Sequence, residues 1–153
     1  LLRLKALHDS DRKAAKPKTA EGNDLFLSYS RLDVTKIEKL AEILQQHGWS
    51  VWWDRHIKTG NAFDKVIEQA LANARGVIVA WSQNSVDSDW VRAEAAYALE
   101  KNKLLPIRLD DATPPLRFIN VQTVDLTHWN GTINDSACKR LFVDLSELIG
   151  NPN

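Results

Sequence analysis

GVIVAWS, residues 76–82, is apolar on both of its alternating faces. A strand that buries both faces belongs in the middle of a parallel sheet covered by helices on either side. The flanks supply such helices. Upstream, Asn61 can cap a helix whose apolar stripe is Phe63, Val66, Ile67, Ala70 and Leu71. Downstream, SDWVRAE (88–94) opens a helix that runs to about Asn102, with Ser88 at its start. Val91, Ala95, Ala98 and Leu99 form the stripe expected to pack on the sheet.

Working outward, the pattern repeats. DLFLSYS (24–30) is a second strand with two apolar faces. Asp33 can cap the next helix, whose stripe is Ile37, Leu40, Ala41 and Leu44, and Gly48 ends it in the left-handed conformation. SVWWD (50–54), LLPIRL (104–109) and VQTVDL (121–126) read as the remaining strands. RHIKTGN (55–61) is a polar loop, and DDATPPLRF is another with two prolines. A last helix, about 134–149, is expected to bury Cys138, Leu141, Phe142, Leu145, Leu148 and Ile149. Strands alternating with amphipathic helices predict an α/β fold: a flavodoxin-like, doubly wound, five-stranded parallel sheet with helices on both faces.

The 153 residues suffice for one domain with a full core, at 44% apolar and 26% charged. Nothing approaches the roughly 18 unbroken apolar residues of a membrane span, and no signal-peptide pattern appears. A single cysteine excludes an internal disulfide and fits a reducing, cytoplasmic compartment. The chain starts with Leu and has no Met, which reads as a piece of a longer protein. Net charge is zero but uneven: residues 1–19 carry +4 and the remainder −4. LLRLKALH has helical spacing, and the polar stretch after it carries a proline. Residues 1–22 are therefore expected to be the end of a preceding helix and a basic linker, and residues 23–150 the domain. The basic stretch lacks interleaved aromatics and any recognisable binding module, which argues against nucleic acid.

Several chemistries are absent. No G-x-G-x-x-G follows the first strand and no G-x-x-x-x-G-K-[ST] occurs. His8, His47, His56 and His128 are scattered, with no metal-ligand spacing, so no metal is expected. His47 and His56 flank a strand and are expected to face solvent. Cys138 falls on an apolar stripe, where burial is favoured over nucleophilic use. A phospho-acceptor receiver domain shares the architecture but needs acidic residues where this chain has SYSRLD and AWS.

In doubly wound sheets ligands bind at the carboxyl ends of the strands. Here that edge collects the loops after Ser30, Asp54 and Ser82 and the head of the 88–102 helix. Trp90 and Glu94 lie one turn apart on one face of that helix, with Tyr97 beyond them. The bland reading of Glu94 is an end-charge gaining ~0.3–1 kcal/mol from the helix dipole. The sharper reading is a reactive carboxylate.

DLFLSYSRLD, then GWSVWWDRHIKTGNAF, then GVIVAWSQNSVDSDWVRAE, in this order and spacing, resemble the TIR (Toll/interleukin receptor) domain, over about residues 23–150. The resemblance implies the five-stranded sandwich already derived. It also implies one of two activities. Some TIR domains are non-catalytic adaptors that assemble with other TIR domains. Others, including bacterial members, cleave NAD⁺ to nicotinamide and ADP-ribose or a cyclised form, with the glutamate of a W-x-x-x-E element as the catalytic residue. Carried over, that glutamate is Glu94 and its tryptophan Trp90. The loops after the first and second strands would shape the NAD⁺ pocket, giving Ser30 and Arg31, then Lys58 and Gly60.

NAD⁺ would be the substrate, with no further cofactor. Arg31 and Lys58 would neutralise the pyrophosphate. Trp53 or Trp52 would offer a stacking face, with core packing favoured for Trp52 and Trp81 over Trp53. The resemblance further implies self-association through the 54–62 loop, and immune defence as the setting. The alternative, an interaction module, predicts no NAD⁺ loss and a binding defect on changing the 55–61 loop.

Overall fold

The computed structural model describes residues 22–53 and 61–152, without the side chains of residues 61–64. The expected preceding helix and linker therefore lie outside the described residues. The element order is β1 (Leu25–Ser28), α1 (Val34–His47), β2 (Val51–Trp52), α2 (Asn61–Asn73), β3 (Gly76–Trp81), α3 (Asp89–Glu100), β4 (Leu104–Arg108), β5 (Val124–Asp125) and α4 (Ser136–Ile149). All pairings are parallel and the strand order is β2-β1-β3-β4-β5, the flavodoxin-like order. β1 and β3 are buried along their whole length because both neighbours and both faces are covered.

Strand alternation sorts the core into two layers. Leu25 and Leu27 of β1 and Tyr29 just after it, with Ile78 and Ala80 of β3, meet Ile37, Leu40 and Leu44 of α1 and Leu141 and Leu145 of α4. Phe26, Val77, Val79 and Trp81 meet Ala70 and Leu71 of α2 and Val91, Ala95 and Ala98 of α3. Trp52 stacks on Phe26 with centroids 5.1 Å apart, and Trp81 is fully enclosed beside Phe118. Both tryptophans are thus core residues, as expected.

The differences from the sequence reading have local causes. β2 and β5 shrink to two residues each. At β5, a 3-10 turn over Leu116–Phe118 binds the Val121 amide through the Phe118 carbonyl, which uses up the start of the expected strand. Val66, assigned to the buried stripe of α2, is exposed, while Ile67, Ala70 and Leu71 turn inward. α2 is described from Asn61, and the capping expected of the Asn61 side chain lies outside the described residues. Asp33 precedes α1 but makes no capping bond there. α3 stops at Glu100, and Asn102 takes φ 60° to close the turn into β4. Gly48 ends α1 at φ 118° as expected, a backbone geometry that disfavours any side chain.

Two features outside the carboxyl edge carry testable consequences. Lys103 caps the open end of α2: its Nζ donates to the carbonyls of Leu71 and Ala74 at 2.9 Å and of Ala72 at 3.2 Å. The last carbonyls of a helix have no partner within it. Lys103→Met is expected to lower unfolding stability by about 1–2 kcal/mol in urea titration, since the half-buried ammonium gives up part of its bonding to water.

His47 is solvent-facing, as expected, yet its ring stacks on Phe142 at 4.2 Å and tilts against Trp49 at 4.8 Å. Burial lowers its pKa below the ordinary 6.5. The unfolded chain then binds more protons than the native state just below that value. The His47 contribution is therefore present above pH 6.5 and is lost as pH falls through the folded value. Between about pH 7 and about pH 5, the fall in thermal midpoint is expected to be smaller in His47→Gln than in the parent, by calorimetry. Cys138 is 1% exposed, and burial, with Asp135 nearby, pushes its thiol up to about 11. It is a packed hydrophobe, in line with its place on the α4 stripe.

Candidate active site

Ser88 fixes the start of α3. Its hydroxyl accepts from the Val91 amide at 3.2 Å, and its carbonyl accepts from Arg92. Val91, Ala95 and Ala98 then seat the helix on the sheet, with small residues allowing close approach. The acid of the first turn is Asp89, and Glu94 comes one turn later. A dipole contribution falls off within the first turn, so the end-charge reading of Glu94 loses its basis. Glu94 is also only 4% exposed. Trp90, one turn earlier, is 43% exposed. The pair thus divides: the carboxylate lies inside and the indole forms the outer surface.

A carboxylate withdrawn from water needs a donor. Ser28, the last residue of β1, supplies it: its hydroxyl donates to Glu94 Oε1 at 2.5 Å. Ser28 stands on the same side of the sheet as Phe26, the side that α3 covers. The contact joins residues 66 apart in sequence.

The loops around this pair are tied together. Ser30 caps the 3-10 turn Arg31–Asp33, accepting from the Leu32 amide at 3.2 Å, and its carbonyl accepts from the Asp33 amide at 2.8 Å. Arg31 projects from that turn, exposed. Asp33 turns inward. Its carboxylate accepts from Ser82 Oγ at 2.5 Å and Asn84 Nδ2 at 2.8 Å, joining the loop after β1 to the loop after β3. The second loop is braced in turn by Ser85, which accepts from the Ser82 amide and donates to the Ala80 carbonyl. The Gln83 amide reaches Asp110 after β4.

Tyr29 OH donates to the Trp53 carbonyl at 2.6 Å, holding the chain where the loop after β2 departs. Trp53 is half-buried and packs against the core layer on the α1 side, the face opposite Glu94. Its ring therefore flanks the edge instead of lying over the carboxylate. Lys58 and Gly60 lie outside the described residues, as does most of the 54–62 loop. Glu94, Ser30, Arg31 and Trp90 all belong to the carboxyl edge.

Sequence reasoning missed Ser28 and the inward role of Asp33. The first had a faint signal, a lone hydroxyl inside an otherwise apolar buried strand. Among the described residues no group of His, Cys, Asp and Glu could hold a metal ion. Among the described residues the edge offers two buried carboxylates, Asp33 tied between two loops and Glu94 held by Ser28, beside a turn bearing the exposed Arg31. Such a carboxylate can stabilise developing positive charge far better than one in bulk water.

The TIR domain family model matches residues 25–142, and the chain belongs to that family. Two bacterial relatives are each 34% identical over 80 residues, 51% of this chain: the 2' cyclic ADP-D-ribose synthases AbTIR of Acinetobacter baumannii and BtTIR of Bacteroides thetaiotaomicron. The NAD(+) hydrolase SARM1 of Danio rerio is 29% identical over 97 residues, 57% of this chain. The chain spans only 30%, 28% and 14% of the length of these three relatives. Among solved structures, the TIR domain of the Toll-related receptor TRR-2 from Hydra magnipapillata superposes with a TM-score of 0.68 at 20% identity. That match covers 80% of this chain and 98% of the other, and it shows the shared fold.

Proposed function

We propose that this domain cleaves NAD⁺ at the nicotinamide–ribose bond, with Glu94 as the catalytic residue. The observation that carries the reading is the burial of the Glu94 carboxylate, held by Ser28 at the carboxyl edge of the sheet, whereas the other buried carboxylate there, Asp33, is engaged in joining two loops. The names of the bacterial and fish relatives, two synthases of cyclic ADP-ribose and one NAD⁺ hydrolase, support the same chemistry.

The reaction suits one acid side chain. Ordinary glycoside hydrolysis uses two carboxyl groups, one of them to protonate a poor leaving oxygen. Nicotinamide departs from NAD⁺ as a neutral molecule, so the electron pair of the breaking C–N bond goes to the ring nitrogen and no acid is required. What remains is an oxocarbenium-like ribose cation. The Glu94 carboxylate stabilises it electrostatically and holds the ribose hydroxyls. Capture by water gives ADP-ribose, and internal capture gives a cyclic isomer. Arg31, with Lys58, balances the pyrophosphate charge; Ser30 and Gly60 shape the loops around it; Trp90 and Trp53 border the pocket.

In this reading the domain works when copies associate through the 54–62 loop, in the cytoplasm, as a defence enzyme. Among the described residues no helix is long and apolar enough to cross a membrane. The test is nicotinamide release by the purified chain across a concentration series, with Glu94→Gln as control. Steady NAD⁺ levels at every concentration, together with a binding defect on altering residues 55–61, would instead mark a docking module.

A further inference from the structure

We infer that Ser28 is a positioning residue for Glu94: its hydroxyl pins the carboxylate in the orientation the reaction uses, without meeting the substrate. The inference rests on the proposed cleavage of NAD⁺.

Ser28 is fully buried, so no ligand reaches its oxygen, and a direct catalytic part is excluded. A hydroxyl at such a place is unfavourable unless bonded. Its bond to Glu94 Oε1, at 2.5 Å, has the length of a charge-assisted O–H···O⁻ contact. Both ends of the link are rigid. β1 lies between β2 and β3, with Ser28 opposite Val79 in register. The Glu94 backbone sits on a helix fixed by the Ser88 cap and by the Val91–Ala95–Ala98 contact with the sheet.

A glutamate has three side-chain torsions, and free rotation would spread its carboxyl group over several ångströms. Tying one oxygen to the sheet removes that spread before substrate arrives. The electrostatic benefit of a carboxylate depends on its being in place when charge develops. Misplacement by about 1 Å is enough to lower a rate by about 10²-fold.

The test compares Ser28→Ala, Ser28→Thr and the parent chain in NAD⁺ turnover. Ser28→Ala is expected to lower kcat by about 10–100-fold while KM stays within about threefold, since substrate contacts are untouched. Ser28→Thr keeps the hydroxyl and is expected to recover most of the lost kcat. A turnover number for Ser28→Ala equal to the parent's, or a loss confined to KM, overturns the inference.

The added methyl of threonine meets a closed site, so a second measurement stands beside the first. Urea midpoints are taken for Ser28→Ala, Glu94→Ala and the double variant. Two groups that act as one unit give shifts that do not add, whereas strictly additive shifts also overturn the inference. This cycle reads the pair without any activity. A parent chain inert toward NAD⁺ would refute the proposed function alone, leaving the coupling of Ser28 and Glu94 to be judged from the midpoints.

Discussion

Glu94→Gln is expected to lower NAD⁺ turnover by about 10³-fold while the thermal midpoint stays level or rises. Removal of one preorganised electrostatic group from an active site typically costs about 10²–10³ in kcat, and here the group is the buried carboxyl on which the proposed reaction depends. Glutamine is nearly isosteric. Its amide oxygen can still accept from Ser28, so the buried hydroxyl keeps a partner. The amide also escapes the penalty of holding an ion out of water. Stability and rate thus move apart, as expected where a fold tolerates an unfavourable group for the sake of its chemistry. Glu94→Ala is the poorer control, because it leaves the Ser28 hydroxyl buried without an acceptor, at about 1–3 kcal/mol. Nicotinamide release followed by chromatography, with calorimetry on the same samples, measures both quantities. Undiminished turnover in the glutamine variant removes Glu94 from the mechanism.

Asp33→Ala is expected to lower unfolding stability by about 2–3 kcal/mol and to raise KM for NAD⁺ several-fold. The carboxylate is 9% exposed and is the joint between the loops after β1 and β3. Alanine leaves the buried Ser82 O–H without its acceptor, although Ser82 Oγ still accepts from the Asn84 amide, whereas the Asn84 side chain, at the surface, regains water. The unpaired Ser82 donor accounts for about 1–3 kcal/mol. Freed from its anchor, the Ser30–Arg31 turn samples more conformations, and the arginine must be reordered each time substrate binds. Asp33→Asn retains one accepting oxygen and is expected to fall between the two. Urea titration gives the first quantity and initial rates the second; an alanine variant with parental KM would separate this joint from substrate binding.

The central strands were legible because GVIVAWS and DLFLSYS declare burial on both faces by composition alone. The edge strands were less so. Two-residue β2 and β5 are defined by register with a neighbour, and no pattern within SVWWD or VQTVDL marks where pairing stops. Val66 satisfies helical periodicity at the margin of its stripe, where a small rotation of the helix decides between core and solvent. Asp33 shows how a local rule loses to a distant partner. Its position suits a helix cap, but Ser82 and Asn84, about fifty residues away, hold its oxygens instead. Glu94 was picked out through the resemblance, since its spacing alone fitted an ordinary end-charge. Its burial, and the serine that makes burial tolerable, depend on a contact across 66 residues that no local pattern encodes.

The main-chain carbonyl of Asp24 receives the amides of Arg75 and Gly76, the Arg75 guanidinium reaches the carbonyl of Ile149, and Trp49 Nε1 donates to that of Gly150. Among the described residues the chain thus enters β1 and leaves α4 at one pole, and the carboxyl edge that carries Glu94 is the opposite one. Both ends of the described domain are thereby kept away from that rim, which stays open to whatever approaches it.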